Sequence, residues 1–229
     1  MGTEKYLFRG FSPEAMDARC QGRMMLRREM LVTAFLKAQG VEAGASVLEL
    51  GAGTGQTMAR VAGSFPGVSF YGVEPLGAYV DHAACQYTAK NPCLKYVQGT
   101  AEQLPLAEAS VDCAYAINIW HHVPLPRLCA SVQALARVIK PGGRLFLIEP
   151  NFLHPYILFY QSLTDGERSF FPWRELAAIK AHFEVQRTAF CFFFPEAVRT
   201  VSPVGQEIET ALEGFPFLGG SVLYTCRRI

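Results

Sequence analysis

The chain has 229 residues, of which half are hydrophobic, and its formal net charge is +1 with acidic and basic residues interspersed. This length predicts one domain of generous size, or one domain with a cap. The absence of a basic stripe argues against a nucleic-acid partner. Seven cysteines without a C-x-x-C pair, and no apolar run of membrane-spanning length, favour a cytoplasmic protein with reduced thiols.

Two helices are predicted ahead of the first strand. Ser12 followed by Pro13 is typical of a helix start, with the serine as its cap. A longer helix is predicted over residues 23–39. Residues 1–45 are therefore interpreted as an N-terminal helical cap on a main domain of residues 46–229.

Strands and helices alternate from residue 46 onward. Five strands are predicted, over residues 47–50, 68–74, 94–98, 111–117 and 144–149. The helices predicted between them cover residues 54–62, 76–89 and 127–139, and a turn over residues 140–143 closes the last of them. Helix-length spacers between successive strands predict an α/β fold with a doubly wound, mostly parallel sheet.

Aromatic residues are concentrated beyond Pro150, where eleven of the 17 phenylalanines lie. Residues 151–171, interrupted by Pro155 and Gly166, are interpreted as an insertion that forms a lid over the ligand edge of the sheet. This interpretation favours a flat or lipophilic small-molecule partner. A buried strand and a homodimer face explain the same aromatic residues equally well.

The chain is predicted to end in two more strands, over residues 183–194 and 221–227. A helix that begins at Pro172 precedes them. Residues 195–219 separate the two strands and include a predicted helix over residues 203–213.

The most informative motif is a glycine loop that directly follows the first predicted strand. Gly51, Gly53 and Gly55 stand at alternate positions, two residues after Glu49. Glycine tolerates tight turns, and its missing Cβ lets a ligand lie against the backbone. A dinucleotide site needs G-x-G-x-x-G, whereas here the third glycine comes one residue early and Gln56 takes its place. The loop therefore favours a nucleotide-type pocket that has no phosphate cradle.

This loop resembles the first motif, E/D-x-G-x-G-x-G, of the class I S-adenosylmethionine (SAM) dependent methyltransferases. The segments at residues 99–106, 111–123 and 139–145 resemble later motifs of the same family, in the same order. The resemblance implies a seven-stranded sheet that ends in an antiparallel hairpin, and SAM as the cofactor. No metal is predicted, because no cluster of His, Asp and Glu has the spacing of metal ligands.

The resemblance assigns the cofactor to residues at the carboxyl ends of the strands. Glu49 and the loop residues Gly51, Ala52, Gly53 and Gly55 would hold the methionine part, Glu74 and Pro75 the ribose, and Thr100, Ala101 and Glu102 the adenine, with Ala116, Ile117 and Asn118 within reach of the methionine end.

The long N-terminal helix is predicted to have a basic face of Arg23, Arg27 and Arg28. We interpret it as a solvated helix face. Contact with the cofactor carboxylate or with an anionic substrate is the alternative.

The function implied by the resemblance is methyl transfer by SN2 displacement to a small, hydrophobic acceptor. Such an enzyme mostly supplies alignment and exclusion of water, and it needs a base only for a poor nucleophile. The candidate bases are His121, His122, His154 and Tyr156, although packing or helix capping also explains the histidine pair. A SAM-binding regulatory subunit without its own chemistry and a nicotinamide-dependent reductase are the alternatives.

Overall fold

A seven-stranded sheet forms the centre of the protein in a computed structural model, which describes residues 11–21, 23–123, 125–162, 172–192, 211–212 and 214–229. The strands are β1 (Ser46–Leu50), β2 (Ser69–Glu74), β3 (Leu94–Gln98), β4 (Val111–Ile117), β5 (Ile139–Pro150), β6 (Phe183–Cys191) and β7 (Ser221–Arg228). Their order across the sheet is β3-β2-β1-β4-β5-β7-β6. Strands β1 to β5 are parallel, and β7 runs antiparallel to both β5 and β6. This topology confirms the predicted doubly wound sheet and its final hairpin.

Helices cover both faces of the sheet. They are α1 (Pro13–Arg19), α2 (Arg23–Ala38), α3 (Gln56–Ala62), α4 (Gly77–Ala83), α5 (Leu125–Val138), α6 (Pro155–Ser162) and α7 (Pro172–Lys180). Helices α2, α3 and α4 contribute to the hydrophobic cluster on one face, and α5 and α7 to the cluster on the other. No helix in the described part of the chain is long and apolar enough to cross a membrane.

The side chains of β1 alternate between these two clusters. Val47 belongs to the cluster beneath α2 and α3, whereas Leu48 and Leu50 belong to the cluster beneath α5. All three are at most 2% exposed, because a parallel strand with helices over both faces has no solvated side. This burial explains why the strand was readable in the sequence as an apolar run.

The N-terminal helices share the core of the main domain. Val32 and Leu36 of α2 are fully buried, and the ring of Phe35 stacks on that of Phe146 at a centroid distance of 4.8 Å. Arg60 of α3 forms an ion pair with Glu29 of α2, with 2.8 Å between Nη1 and Oε1. Apolar packing and a charge pair therefore hold the cap against the glycine-loop helix.

Strand β5 is longer than predicted at its N-terminal end. The predicted turn over residues 140–143 lies inside the strand as an irregularity, where the register shifts between Val111 and Cys113 of β4. Gly142 has a φ of +74°, and a Cβ at Gly143 would lie 2.7 Å from the carbonyl oxygen of Asp112. The glycine pair is thus needed for close approach between two strands.

Three other elements differ from the prediction. Helix α3 begins at Gln56 because Gly55 has a left-handed φ of +82°, and β6 ends at Cys191 before Phe192, whose φ is +63°. The helix predicted over residues 76–89 divides into α4 and a π-helical turn at Ala84–Thr88.

Pro155 begins α6 where the sequence suggested an interruption, as proline fits a first helical turn. Residues 163–171 of the predicted lid lie outside the described residues. So does most of the predicted helix over residues 203–213.

Candidate active site

A cavity of about 490 Å³ lies where the carboxyl ends of β1, β2 and β4 meet. Strands β1 and β4 are neighbours in the sheet but not in the sequence, which makes this the topological switch point where open α/β sheets bind ligands. The residues that line the cavity come from the cap, the glycine loop and the loops after three strands: Met16, Cys20, Met25, Arg28, Glu49, Leu50, Gly51, Ala52, Gly53, Thr54, Gln56, Thr57, Val73, Glu74, Pro75, Leu76, Tyr79, Gly99, Ala101, Ile117, Asn118, Ile119, His121, His122 and Val123.

The glycines of the loop have two different roles. Gly53 has a φ of +54°, and a Cβ placed there would meet no protein atom within 4 Å, so the space above it is open to a ligand. Gly55 is buried, and a Cβ there would lie 2.7 Å from the ring of Tyr96 and 2.8 Å from Ala83. Gly53 is therefore the position where a ligand can approach the backbone, whereas Gly55 allows the loop to pack.

Glu49 is a buried acid that forms no ion pair with any side chain in the described part of the chain. Its side chain lines the cavity, only 3% of the residue is exposed, and its Oε2 has no hydrogen-bond partner. Burial raises the pKa of the Glu49 carboxyl well above its usual range, and the nearby acids Glu29 and Glu74 raise it further. A cationic ligand at this position would satisfy the orphaned oxygen and favour the ionised form.

Glu74 stands at the end of β2 and bridges two loops of the cavity wall. Its Oε2 accepts a hydrogen bond from the backbone N–H of Gly53 at 3.0 Å, and its Oε1 accepts one from that of Leu76 at 3.1 Å. Burial raises the pKa of this carboxyl. Each oxygen keeps a lone pair, so the carboxylate can still accept hydrogen bonds from a ligand diol.

The segment after β3 reaches the cavity through only two of its residues. Gly99 and Ala101 line the cavity, whereas Thr100 and Glu102 do not. Thr100 instead exchanges two backbone hydrogen bonds with Gln103, at 3.3 and 3.1 Å, which closes a tight turn. Of the predicted cofactor residues, Gly55 and Ala116 also lie outside the lining, because both are buried in the packing beneath it.

The loop after β4 is fixed by a fully buried acid, Glu149 of β5. Its Oε1 accepts hydrogen bonds from the backbone N–H groups of Ile119 and Trp120, both at 2.9 Å. Its Oε2 accepts a hydrogen bond from Nδ1 of His121 at 3.0 Å. Burial alone would raise the pKa of Glu149, but the hydrogen bond and charge of His121 lower it below the ordinary value.

Sequence reasoning missed Glu149. The available signal was an acidic residue at the carboxyl end of a predicted strand, the same signal that identified Glu74. The structure shows that Glu149 orients His121, whose ring is 3.0 Å away and lines the cavity.

The four candidate bases separate into two pairs. His121 and His122 both line the cavity, with 3.9 Å between their ring centroids. Burial and the neighbouring His121 lower the pKa of His122 to about 4, so that this ring is neutral near pH 7. His154 and Tyr156 lie outside the cavity lining, and Tyr156 is 63% exposed. The structure therefore brings only the histidine pair to the site.

The prediction that the basic face of α2 is solvated is wrong for Arg28. Arg28 lines the cavity, and its guanidinium carbon lies 5.5 Å from the ring centroid of Phe192. With the Asn118 amide oriented so that its oxygen faces α2, that oxygen accepts hydrogen bonds from Nη1 and Nη2 of Arg28, both at 2.9 Å. Arg27 also lies over the Phe192 ring, at 5.3 Å, and the side chain of Arg23 lies outside the described residues.

The described residues contain no group of three or more His, Cys, Asp and Glu side chains that could hold a metal ion. The polar groups that face the cavity are suited instead to an organic ligand with a positive charge and neighbouring hydroxyl groups. Glu49 could bind the positive charge, and Glu74 could accept hydrogen bonds from the hydroxyl groups.

Residues 47–143 match the family described as a methyltransferase domain. An uncharacterised methyltransferase of Mycobacterium tuberculosis is 36% identical over 102 residues, which is 44% of this chain and 38% of that protein. An O-methyltransferase of Pyrenophora dematioidea is 36% identical over 108 residues, which is 46% of this chain and 39% of that protein. The chain therefore spans less than half the length of these curated relatives.

A solved structure extends the likeness over most of the chain. The geranyl diphosphate C-methyltransferase from Streptomyces coelicolor A3(2), in complex with Mg²⁺, geranyl diphosphate and S-adenosyl-L-homocysteine, has a TM-score of 0.67 at 16% identity. The match covers 90% of this chain and 81% of that chain. At this identity the likeness shows the fold alone.

Proposed function

We propose that this chain, whose residues 47–143 match a methyltransferase domain, is a class I SAM-dependent methyltransferase that transfers the methyl group of SAM to a hydroxyl group of a small, hydrophobic molecule. The observation that carries the proposal is the composition of one cavity. An orphaned buried acid, Glu49, adjoins the glycine loop, and a histidine held by a buried carboxylate, His121, lines the same space.

The residues of the cavity fit the parts of SAM. Glu49 would meet the positive charges of the ammonium and sulfonium groups, and the open space at Gly53 would admit the methionine chain. Glu74 would accept hydrogen bonds from the ribose hydroxyls. Ala101 and Gly99 would line the adenine, which needs apolar contact and close backbone approach.

His121 would act as the base that activates the acceptor. Because Nδ1 donates to the Glu149 carboxylate, the opposite ring nitrogen, Nε2, is the one that carries the lone pair. His121 takes the hydroxyl proton on Nε2 as the acceptor oxygen attacks, and Glu149 stabilises the imidazolium that forms. The cofactor supplies an electrophilic methyl group bound to a good leaving group.

Three observations support a hydrophobic hydroxyl acceptor. Apolar side chains of the cap and of the loop after β4 line the cavity beside the polar groups, among them Met16, Met25, Ile119 and Val123. One relative is named as an O-methyltransferase, and a structural neighbour holds geranyl diphosphate, whose body is a hydrocarbon chain. A hydroxyl group also requires the base that His121 provides, whereas an amine or thiolate acceptor does not.

The proposal is tested with methyl-labelled SAM and an extract of the source cells, followed by partition between water and an organic solvent. We expect label in the organic phase, in a product whose methyl group is bound to oxygen by mass spectrometry. Label on protein or nucleic acid would contradict the proposed acceptor. Binding of S-adenosylhomocysteine (SAH) without any transfer would point to the non-catalytic alternative.

A further inference from the structure

Ile119, in the loop after β4, fills the space on the Cβ side of Gly51. A Cβ built on Gly51 would lie 2.0 Å from Cδ1 and 2.8 Å from Cγ1 of Ile119, and the next nearest atom, at 3.7 Å, is Cγ2 of the same side chain. Non-bonded carbon atoms pack at about 3.5–4.0 Å. The isoleucine therefore fits against the glycine loop only because residue 51 has no side chain.

This contact distinguishes Gly51 from Gly53. Both glycines line the cavity, but a Cβ on Gly53 would meet no protein atom within 4 Å. A ligand can approach the Cβ side of Gly53, whereas the Cβ side of Gly51 is already occupied by Ile119. The first glycine of the loop is thus needed for a contact between two loops.

The backbone is held on both sides of the Gly51–Ile119 contact. The N–H groups of Gly51 and Ala52 both donate to the carbonyl oxygen of Val73 in β2, at 2.8 and 3.1 Å. The N–H group of Ile119 donates to Oε1 of Glu149 in β5 at 2.9 Å. Because each backbone is tied to a different strand, the Ile119 side chain is the spacer that sets the separation of the two loops.

The same carboxylate connects this spacer to His121. The backbone N–H and the ring Nδ1 of His121 lie 3.4 and 3.0 Å from Oε2 of Glu149, whose other oxygen accepts from Ile119. Ile119 and His121 are therefore two points of one short segment fixed by Glu149. A shift of Ile119 toward or away from Gly51 would move His121 with it, and a displacement of about 1 Å can cost roughly 100-fold in rate.

We propose that Ile119 is a positioning residue of the site, which holds His121 at the distance from the glycine loop that methyl transfer requires. This inference rests on the proposed function and adds a residue to it. Ile119 acts through His121 and does not itself take part in proton transfer. It follows that alanine at position 51 is harmful only while Ile119 is present, and that His121 contributes less to the rate once Ile119 is shortened.

The contact is tested by isothermal titration with SAH, with Gly51→Ala placed in the native protein and in Ile119→Ala. We expect Gly51→Ala to weaken binding at least about 10-fold in the native protein and at most about 3-fold in Ile119→Ala, since substitutions of touching residues are not additive. Gly51 has a φ of +74°, and the cost of alanine in that conformation is the same in both backgrounds. If Gly51→Ala alone does not fold, Ile119→Ala should restore folding.

Gly53→Ala is the matched control for this comparison. Gly53 belongs to the same loop and also has a positive φ, of +54°, but no protein atom lies near its Cβ position. Its substitution should therefore change SAH affinity by the same factor with and without Ile119. Equal factors for Gly51→Ala in the two backgrounds, or a double variant that stays unfolded, would overturn the inference.

The positioning role is tested by the rate of methyl transfer from labelled SAM into the organic-phase product. Ile119→Ala should lower this rate about 10-fold while SAH affinity changes less than about 3-fold, because the base and not the cofactor is displaced. Ile119→Val, which lacks only Cδ1, should have an intermediate rate. His121→Asn should then cost about 100-fold in the native protein but no more than about 10-fold in Ile119→Ala. An undiminished effect of His121→Asn would leave Ile119 with a packing role only and overturn the inference.

The two proposals fail in different ways. If the native protein binds SAH and transfers the methyl group, but the substitutions at Gly51 and His121 are both independent of Ile119, the inference is overturned while the proposed function stands. If the native protein binds no SAH, the proposed function fails and the positioning role fails with it. Urea unfolding of the same Gly51 and Ile119 variants then decides the contact, which additive losses of stability would contradict.

Discussion

Glu74 shows how one side chain can serve both the fold and a ligand. Its two oxygens accept hydrogen bonds from the backbone of Gly53 and Leu76, and so hold two loops of the cavity wall at a fixed separation. Under the proposed function, the lone pairs that remain would accept hydrogen bonds from the cofactor ribose. Glu49 differs because one of its oxygens has no partner, so a ligand has more to contribute there.

Replacement of Glu74 by alanine is expected to weaken SAH binding by about 1–3 kcal/mol, the range for a lost pair of charge-assisted hydrogen bonds. Titration calorimetry measures the change. Glu42→Ala, which removes an exposed acid outside the cavity lining, is the control and should bind SAH normally. Native affinity in Glu74→Ala would contradict the ribose assignment.

Cofactor binding is expected to release protons through Glu49. The pKa of this carboxyl is raised in the free protein by burial, and a cationic ligand beside it lowers that pKa. Binding therefore shifts Glu49 toward its ionised form, and SAH affinity rises with pH across the interval between the two pKa values.

The proton release is measured by calorimetry in buffers of different ionisation enthalpy. Glu49→Gln should remove most of the buffer dependence. A native protein whose binding enthalpy is independent of the buffer would show that Glu49 does not titrate on binding.

Replacement of His121 by asparagine is expected to lower the rate of methyl transfer to a hydroxyl acceptor about 100-fold or more. Asparagine can still donate a hydrogen bond to Glu149, so the loop after β4 should keep its position and SAH should bind as before. His154→Asn, at a position outside the cavity lining, is the control. A full rate in His121→Asn would leave His121 with a packing role only.

At the scale of elements, the cap and the glycine-loop helix are joined by a small network of polar groups. Arg60 of α3 pairs with Glu29 of α2, donates to the carbonyl of Cys20 at 3.5 Å and also bonds to Gln56. Glu29 in turn lies 3.5 Å from the hydroxyl of Thr57. Because Gln56, Thr57 and Cys20 line the cavity, this network connects the position of the cap to the shape of the site.

Removal of the Glu29 side chain by alanine is expected to lower the free energy of unfolding by about 1–3 kcal/mol, since Arg60 loses its carboxylate partner and the buried Thr57 hydroxyl loses its acceptor. The control is Lys140→Ala, which breaks an ion pair with Asp112 that is exposed at the surface. That change should cost no more than about 1 kcal/mol. Urea unfolding of both variants gives the comparison, and equal losses would mean that the Glu29 pair is no more important than a surface pair.

At the scale of the whole molecule, the cavity is built from parts that are far apart in the sequence. The cap, the glycine loop and the loops after β2, β3 and β4 all contribute to its lining. A ligand that contacts these parts together should therefore stabilise the native state as a unit. The final hairpin lies on the opposite side of β5 from this cavity wall, where β7 pairs with both β5 and β6.

SAH at a concentration 100 times its dissociation constant is expected to add about 2.7 kcal/mol to the stability of the native state. For a chain of this size this corresponds to a rise in Tm of roughly 5–10 °C. A thermal melt with and without SAH measures it, and NADH serves as the control nucleotide. A rise with NADH and none with SAH would favour the reductase alternative over the proposed function.

The sequence by itself determined the order of the strands and the glycine loop. These depend on local patterns, namely apolar runs, alternating glycines and acids near the ends of two strands. Glu49 is the penultimate residue of β1, and Glu74 is the last residue of β2. Such patterns are legible because a strand, a turn and a helix start are specified by neighbouring residues. The bounds of β3 and β4 were predicted to the residue for this reason.

Only the tertiary structure decided which side chains share the cavity. It joined Glu149 to His121, separated His154 from the site, and turned Arg28 from a predicted surface cation into part of the cavity wall. These contacts join different elements across the sheet edge, and they depend on how far each strand extends and how the cap packs on α3. A charged residue on a helix carries no local sign of whether it faces water or a cavity, because that is decided by the elements packed against it.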